Sequence, residues 1–523
     1  MAAGLSRPVR TGGCGGRGEH GRRGLLAASV VLLLLVGLSR ANAAQPDLLP
    51  RGWAPGPLLP VTLDPAVVTG VLWGAYLLGA AAVLLGLRRR VRPLRDWRVP
   101  GLLAVAALLT APFGSADHIS YVAYGRILVG GGDPWVESPI SWAGGTDPVT
   151  SRVEAPWTEE PSIYGPAATL LHGLSAWAGG PSLRQEVWVW QLLVVLAWLA
   201  TRWALRAALP PEQHGRVDVA WTLNPLVLGL GVLGAHVDVV ATAFVVVAVA
   251  VAVRSAGPRG AALAGALLGL GAATKITYGV GLVALAAACW LTRGDDPGGR
   301  SARRRIRGML AGFVVVMAAL QVWAGPHVYD QLLRSRQAVS LATPWRLLLE
   351  TLRPVLGNGG TRVLISVGAA LLAVVLAALL LRASRPAGPD ETLRAGRLAP
   401  TALWLLTGLQ LAYVLVAPYS LPWYDVLVWA ALPGVAGAVP AVVDLAAVAR
   451  TTVAALAYVP GRVLGMTPGV EALTLGFRRA VAPWLVLTLW VAVLSVLGGR
   501  GARPAWGRRP APPRARTPRP PTR

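Results

Sequence analysis

Lysine is all but missing from this chain: Lys275 is the only one among 523 residues, and arginine carries the rest of the positive charge. Charge of any kind is scarce. Asp, Glu, Lys and Arg make up 14% of the chain, against about 25% in a soluble domain. That shortage excludes an ordinary soluble protein, and no segment has room for a soluble domain of usual size. Cysteine is nearly absent too. Cys14 lies in the N-terminal tail and Cys289 inside an apolar run, so no disulfide framework is expected. The chain has no phosphate-binding P-loop, no dinucleotide fingerprint and no HExxH metal motif.

What the chain does have is hydrophobic sequence, 54% of it, in runs of 15–22 residues that recur from residue 24 to residue 498. Each is near the roughly 20 residues that cross a bilayer core as a helix. The expected fold class is therefore an all-α polytopic membrane protein, a bundle of about 12–14 transmembrane helices. Candidate spans are 24–38, 66–87, 99–113, 186–206, 217–234, 238–253, 260–274, 277–292, 308–325, 362–382, 399–416, 421–439, 440–458 and 481–498. The 440–458 candidate is the weakest, because it contains Asp444 and Arg450. Segment 161–180 is apolar but broken by Pro161, Gly165, Pro166 and Gly179-Gly180, which suits a re-entrant or interfacial helix.

Residues 1–23 and 501–523 read as disordered basic tails around one integral domain, 24–500. The first run follows Arg22-Arg23 and precedes Ala41-Asn42-Ala43, which imitates a signal peptide with its cleavage site. The many spans that follow favour an uncleaved first span.

A net charge of +25 invites a nucleic-acid reading, but the arginines cluster in loops and tails. In a membrane protein that pattern sets orientation and attracts anionic lipid, so no nucleic-acid partner is expected. Placing 88–98, 202–216, 254–259, 293–307 and 382–397 in the cytoplasm is self-consistent for a multi-pass protein of the cell membrane. The loops left outside are 114–185, 235–237, 275–277, 326–361 and 417–421. They carry Asp117, His118, Glu159, Glu160, His236, Asp238, Lys275, His327, Tyr419 and Asp425. Polar residues from separated places thus fall on one face.

The strongest signal is Asp117-His118, just after the apolar run 99–113. A carboxylate there can take a proton from an attacking hydroxyl; the plain alternative is a solvated Asp that ends a helix. Tyr121, Tyr124 and Arg126 follow. The tyrosines share one face if the stretch is helical, unless they form an interfacial aromatic belt. The arginine suits anion binding. Asp133-Pro134-Trp135 after three glycines is a turn signal. Tyr164, in a second aromatic turn after Trp157, Glu159 and Glu160, has the apolar face and polar tip that suit a sugar.

Asn224-Pro225 with Gly234-Ala-His236-Val-Asp238 is the second signal. Ionisable groups at a span edge usually face a cavity or a partner. His236 and Asp238 suit a metal ion, a phosphate bound through protonated His, support of the outer site, or simply a polar pair between helices. Lys275 suits a lipid-linked phosphate as a point charge, or snorkels to the interface. Trp423 and Tyr424 suit an interface anchor, which does not explain Asp425.

In this order and spacing the blocks resemble the actinobacterial polyprenol-phosphate-mannose-dependent α-(1→6) mannosyltransferases, membrane glycosyltransferases of the GT-C class. The resemblance covers roughly residues 66–500 and rests on Asp117…Tyr121…Asp133-Pro134, Tyr164-Gly165-Pro166, Asn224-Pro225 with His236 and Asp238, the Lys275 segment, and Pro422-Trp423-Tyr424. It implies a GT-C-like bundle with an extracytoplasmic catalytic loop at 114–185. Asp117, supported by His118, is then the base. Lys275, Arg126 and His236 bind the donor phosphate. Tyr121, Tyr124, Asp133, Trp135, Tyr164, Asp238, Trp423, Tyr424 and Asp425 bind substrate. The implied partners are a polyprenyl-phosphate-sugar donor and a mannan or lipid-linked glycan acceptor, and the implied reaction is inverting mannosyl transfer, with a divalent cation (Mg or Mn) as an open option. The family Lys segment commonly continues with prolines, whereas Ile276-Thr277 follow here. Transfer of another polyprenyl-linked sugar such as arabinose, or lipid and glycan transport, are the rival readings; a transporter would place its polar groups at midplane, often in repeated halves.

Overall fold

The computed structural model describes residues 14–499 except 256, 294–298, 336–337, 385–396, 436–439 and 463. Among these residues it is helical, with no strand. Ten helices among the described residues are long and apolar enough to cross a membrane, and Arg98–Leu109 and Ile276–Leu291 are shorter apolar helices. Of the tail expected at 1–23, residues 14–23 are helical and the rest lies outside the described residues, as does the tail expected at 501–523. The first helix, α1 (Cys14–Leu38), begins well before its apolar run. Glu19 favours that start by pairing with Arg22 at 2.7 Å and Arg23 at 3.0 Å.

α1 packs along α2 (Pro65–Leu87). Asp64 caps α2 by accepting from the Ala66 amide at 2.8 Å, and Pro65 supplies a preset first-turn φ. α3 (Arg98–Leu109) leads to α4 (Asp117–Val129), which packs on α5 (Pro166–Gly179). Segment 114–185 thus carries two helices, and α5 lies within the 161–180 stretch expected to form a re-entrant or interfacial helix. α6 (Leu183–Ala208) follows.

The span expected at 217–234 is there as α7 (Pro211–Leu233), but it is not one straight helix. Wide turns at Asp218–Thr222 and Leu228–Leu233 flank a restart at Asn224-Pro225, where the Asn224 side chain accepts from the Leu226 amide at 3.0 Å. Proline has no amide to continue the ladder, so the break lies there. The Asn224-Pro225 signal is therefore a cap.

α8 (Val237–Arg254), α9 (Pro258–Thr274) and α10 (Ile276–Leu291) come next. α9 packs closely on α11 (Arg300–Ala324) through Gly265 and Gly269 on one helix and Gly308 and Gly312 on the other. A Cβ on Gly265 would run into the Met309 carbonyl, and one on Gly312 into that of Ala262. Small residues four apart let backbones touch where lipid gives no hydrophobic drive for association. Gly265→Val is expected to cost about 1–3 kcal/mol, measurable as a lower thermal midpoint in detergent.

The run Pro344–Ala383 turns sharply at Gly357, whose φ of 70° lies in the left-handed region; it is labelled α12. α13 (Leu398–Val416) precedes Pro422–Asp425 and short helical turns to Gly434, so the span expected at 421–439 is interrupted by Pro433 and Gly434. Residues 436–439 lie outside the description. α14 (Pro440–Tyr458) forms despite its two charges because both are met. Asp444 accepts from Arg216 at 2.5 Å, and Arg450 lies 3.6 Å from Asp425. α15 (Pro468–Gly499) ends the described chain.

The bundle has two unlike ends. At one, Arg202 and Arg206 flank Asp218, whose carboxylate also accepts from the Leu94 amide, and Arg202 lies over the Trp97 ring. Arg305 there meets the Ala252 carbonyl. At the other end, α4 and α8 begin, α9 stops before Lys275, and α13 runs into residues 417–425. Four separate chain breaks therefore place polar side chains in one layer.

Candidate active site

Asp117 opens α4, where the helix dipole favours a carboxylate. Two cavities meet at it. The smaller, ≈ 40 Å³, is lined by Asp117, Tyr124, Tyr164, Lys275, Trp423 and Tyr424, among others. The larger, ≈ 330 Å³, has Arg450, Arg462 and Arg478 in its lining. Asp117 and Tyr419 line both.

Burial pushes the Asp117 carboxyl up to about 7. Lys275 and a hydrogen bond from Tyr121 oppose that rise, and Asp238 adds to it. His236 stands beside the carboxylate, Nδ1 3.7 Å from Asp117 Oδ2. Its ring is fixed from three sides. Ser115 Oγ is 3.3 Å from Nε2, Tyr121 Oη is 3.3 Å from Nδ1, and the Trp423 ring stacks on it at 3.6 Å. The turn that presents His236 holds Ala235 at a φ of 51°, a left-handed conformation uncommon for a side-chain-bearing residue. Trp190 steadies that turn by donating to the Ala235 carbonyl at 2.7 Å.

Lys275 sits one residue past the end of α9. Its ammonium donates to Asp238 at 2.8 Å and lies 3.6 Å from the Tyr424 ring centroid. Tyr278 donates to the same Asp238 oxygen at 3.0 Å. The Tyr164 turn reaches this point because Gly165 presses against the Ala273 carbonyl and its amide donates to Thr274 at 3.2 Å. A side chain on Gly165 would push the turn away. Tyr164 then meets Tyr121 edge-on, while His172 stacks on Tyr121 from α5.

Residues 22–292, just over half of the chain, match the family described as "Alpha-(1->6)-mannopyranosyltransferase, N-terminal domain". The chain belongs to that family. It is 26% identical over 208 residues to alpha-(1->6)-mannopyranosyltransferase B of Corynebacterium glutamicum, covering 36% of this chain and 34% of that protein. It is 29% identical over 234 residues to alpha-(1->6)-mannopyranosyltransferase A of Mycobacterium tuberculosis, covering 42% of each. The matched segments thus span less than half the length of either relative. No solved structure matches.

The family segment ends at residue 292, so it supplies Asp117, His236, Asp238 and Lys275. The cavities are closed by residues beyond it: Tyr419, Trp423, Tyr424 and the three arginines. Of the expected site residues, Asp117, Tyr124, Tyr164, Lys275, Trp423 and Tyr424 line a cavity. Tyr121, His236 and Asp238 stand directly behind them. Burial holds the His236 ring neutral, well below the usual imidazole range, so it does not offer the positive charge expected of a phosphate ligand.

Others fall elsewhere. His118 follows Asp117 by one residue, about 100° round the helix. It is fully buried, lines neither cavity, and its ring nitrogens have no hydrogen-bond partner among the described residues. Burial pushes its ring down to about 3, so the expected proton-transfer partner of Asp117 is a neutral core imidazole. Arg126 sits two turns further on, 3.1 Å from Asp147 and 4.0 Å from Glu186, away from both cavities. Asp133 makes a local turn by accepting from the Trp135 amide at 2.9 Å. Trp135 packs edge-on against Trp323 and donates to the Tyr164 carbonyl at 2.8 Å, so it steadies the cavity wall without entering it. Asp425 accepts from Thr451 at 2.7 Å and lies near Arg450. No cluster of three His, Cys, Asp or Glu that could hold a metal occurs among the described residues; Asp238 faces Lys275, and His236 faces Trp423.

Sequence reasoning missed Ser115, His172 and the arginines of the larger cavity. Ser115 had a signal, two residues before Asp117. Arg450 had one too, as a charge inside an apolar run.

Proposed function

We propose that this protein is an inverting glycosyltransferase that moves mannose from polyprenyl-phosphate-mannose to a growing cell-envelope mannan on the outer face of the cell membrane. The observation that carries the reading is Asp117 at the junction of two cavities. An acceptor hydroxyl at that junction gives its proton to the carboxylate as its oxygen attacks the anomeric carbon. The bond to the lipid phosphate breaks in the same displacement, and the phosphate leaves with the electron pair. A dianionic leaving group needs cations in place beforehand. Arg450, Arg462 and Arg478 in the larger cavity and Lys275 in the smaller offer them. Tyr124, Tyr164, Trp423 and Tyr424 supply the aromatic faces that suit a sugar ring.

Mannose as the transferred sugar is supported by the names of the relatives. The arginine-bearing loops at the opposite end of the bundle support the outer-face placement. A lipid-linked donor fits an active site on that side, where nucleotide sugars are absent. Membranes holding the protein, given labelled polyprenyl-phosphate-mannose and an oligomannoside, test this. Label is expected in a product that an α-(1→6)-specific mannosidase degrades. Label taken only from a nucleotide sugar, or none from either donor, would overturn the proposal.

A further inference from the structure

A third cavity, ≈ 320 Å³, shares no lining residue with the two at Asp117. It lies under the segment joining α1 to α2 and is walled by Arg184 at the start of α6. Arg184 is only 3% exposed. Its Nε donates to the Pro55 carbonyl at 3.1 Å and its Nη2 to that of Thr110 at 2.8 Å, while Nη1 has no partner among the described residues. Gln45, 4% exposed, lines the same cavity. Its amide nitrogen donates to the Ser39 carbonyl, and its Oε1 has no partner among the described residues. Arg40 and Arg51 stand exposed at the rim, and Arg51 reaches only the Gly56 carbonyl, at 3.3 Å. The one carboxylate in the wall, Asp47, accepts from the Leu49 amide and lies 4.0 Å from Arg152.

An unfilled guanidinium donor at this depth is costly unless an anion meets it. Three arginines face one carboxylate, so the cavity attracts negative charge. The idle Gln45 oxygen can only accept, which asks for a hydroxyl next to the anion. Leu49, Trp53 and Leu58 are exposed on the same segment, which joins the ends of two apolar spans. Exposed apolar and aromatic side chains at such a place suit the bilayer interface.

We propose that this cavity binds the phosphate of a hydroxyl-bearing phosphate ester, with Arg184, Arg40 and Arg51 holding the phosphate oxygens and Gln45 Oε1 accepting from the hydroxyl. A lipid headgroup and a soluble ester share that chemistry. The full chain, purified in neutral detergent, separates them when native mass spectrometry counts bound phosphatidylglycerol, phosphatidylcholine and glycerol 3-phosphate. One phosphatidylglycerol per chain is expected, preferred over phosphatidylcholine. The exposed pair Arg40→Gln/Arg51→Gln should weaken it roughly tenfold or more, as loss of charge-assisted hydrogen bonds does. Arg184→Gln should weaken it further; because Arg184 also anchors the segment, the exposed pair carries the test if that variant misfolds. Tight glycerol 3-phosphate binding that displaces the lipid assigns the site to a soluble ester, whereas lipid binding that it does not displace assigns it to a headgroup. Equal lipid retention by wild type and the exposed pair, or binding of neither phosphatidylglycerol nor glycerol 3-phosphate, would overturn the site.

Discussion

Asp117→Asn is expected to lower sugar transfer by about 10²–10⁴-fold, the usual worth of a positioned general base, with little change in thermal midpoint. The amide keeps the shape of the side chain and loses the ability to take a proton. The neighbours that fix its position, His236 and Tyr121, meet an amide as readily as a carboxylate, because burial keeps the imidazole neutral. Folding should therefore survive while chemistry fails. Steady-state transfer by equally expressed proteins, with melting followed in detergent, checks both halves. Transfer within about threefold of wild type would remove Asp117 from the proton-transfer step, which carries at least ~100-fold.

Lys275→Met has the second largest expected effect, on stability. It strands Asp238, which is 1% exposed and already has one oxygen without a partner among the described residues. Removing one member of a buried ion pair costs about 3–5 kcal/mol, because the other charge stays buried and uncompensated. Asp238→Asn added to Lys275→Met should recover most of that loss, since no charge is then left behind. Thermal unfolding of the two single variants and the double variant measures the coupling. A double variant that melts no higher than Lys275→Met would mean that the lysine acts through Tyr424, whose ring it covers, and not through Asp238. If the double variant recovers stability without recovering transfer, Lys275 has a role with substrate besides its structural one.

Much of the helical layout is legible in the sequence, because a bilayer demands runs of a set length and apolar sequence reports them directly. Misjudged spans are those where tertiary partners override local composition. The charges that make 440–458 look weak are matched by Arg216 and Asp425, which no local window joins to them. Asn224-Pro225 looks like a site motif and is a cap, because capping and ligand binding use the same short polar side chain. At the candidate site, Asp117, His236, Asp238 and Lys275 stand out because each is an ionisable group at the edge of an apolar run. His118 is as conspicuous and lies outside the cavities, since adjacent helical residues face different ways. Tyr121 and Tyr124 follow Asp117 by four and seven residues and stay on its face. The arginines of the larger cavity could not be placed from sequence. They come from segments more than 300 residues beyond Asp117, and only packing brings them to its cavity.

The most direct test of the central claim, that Asp117 is the base for transfer, is the pH dependence of kcat/KM. Burial holds its carboxyl near 7 in the folded protein. A base must be unprotonated, so kcat/KM should rise about tenfold per pH unit below that value and level off above it. The residual rate of Asp117→Asn should lack the limb. A wild-type profile that is flat between about pH 5.5 and 8.5, or an identical limb in Asp117→Asn, would contradict the assignment of the proton to this carboxylate.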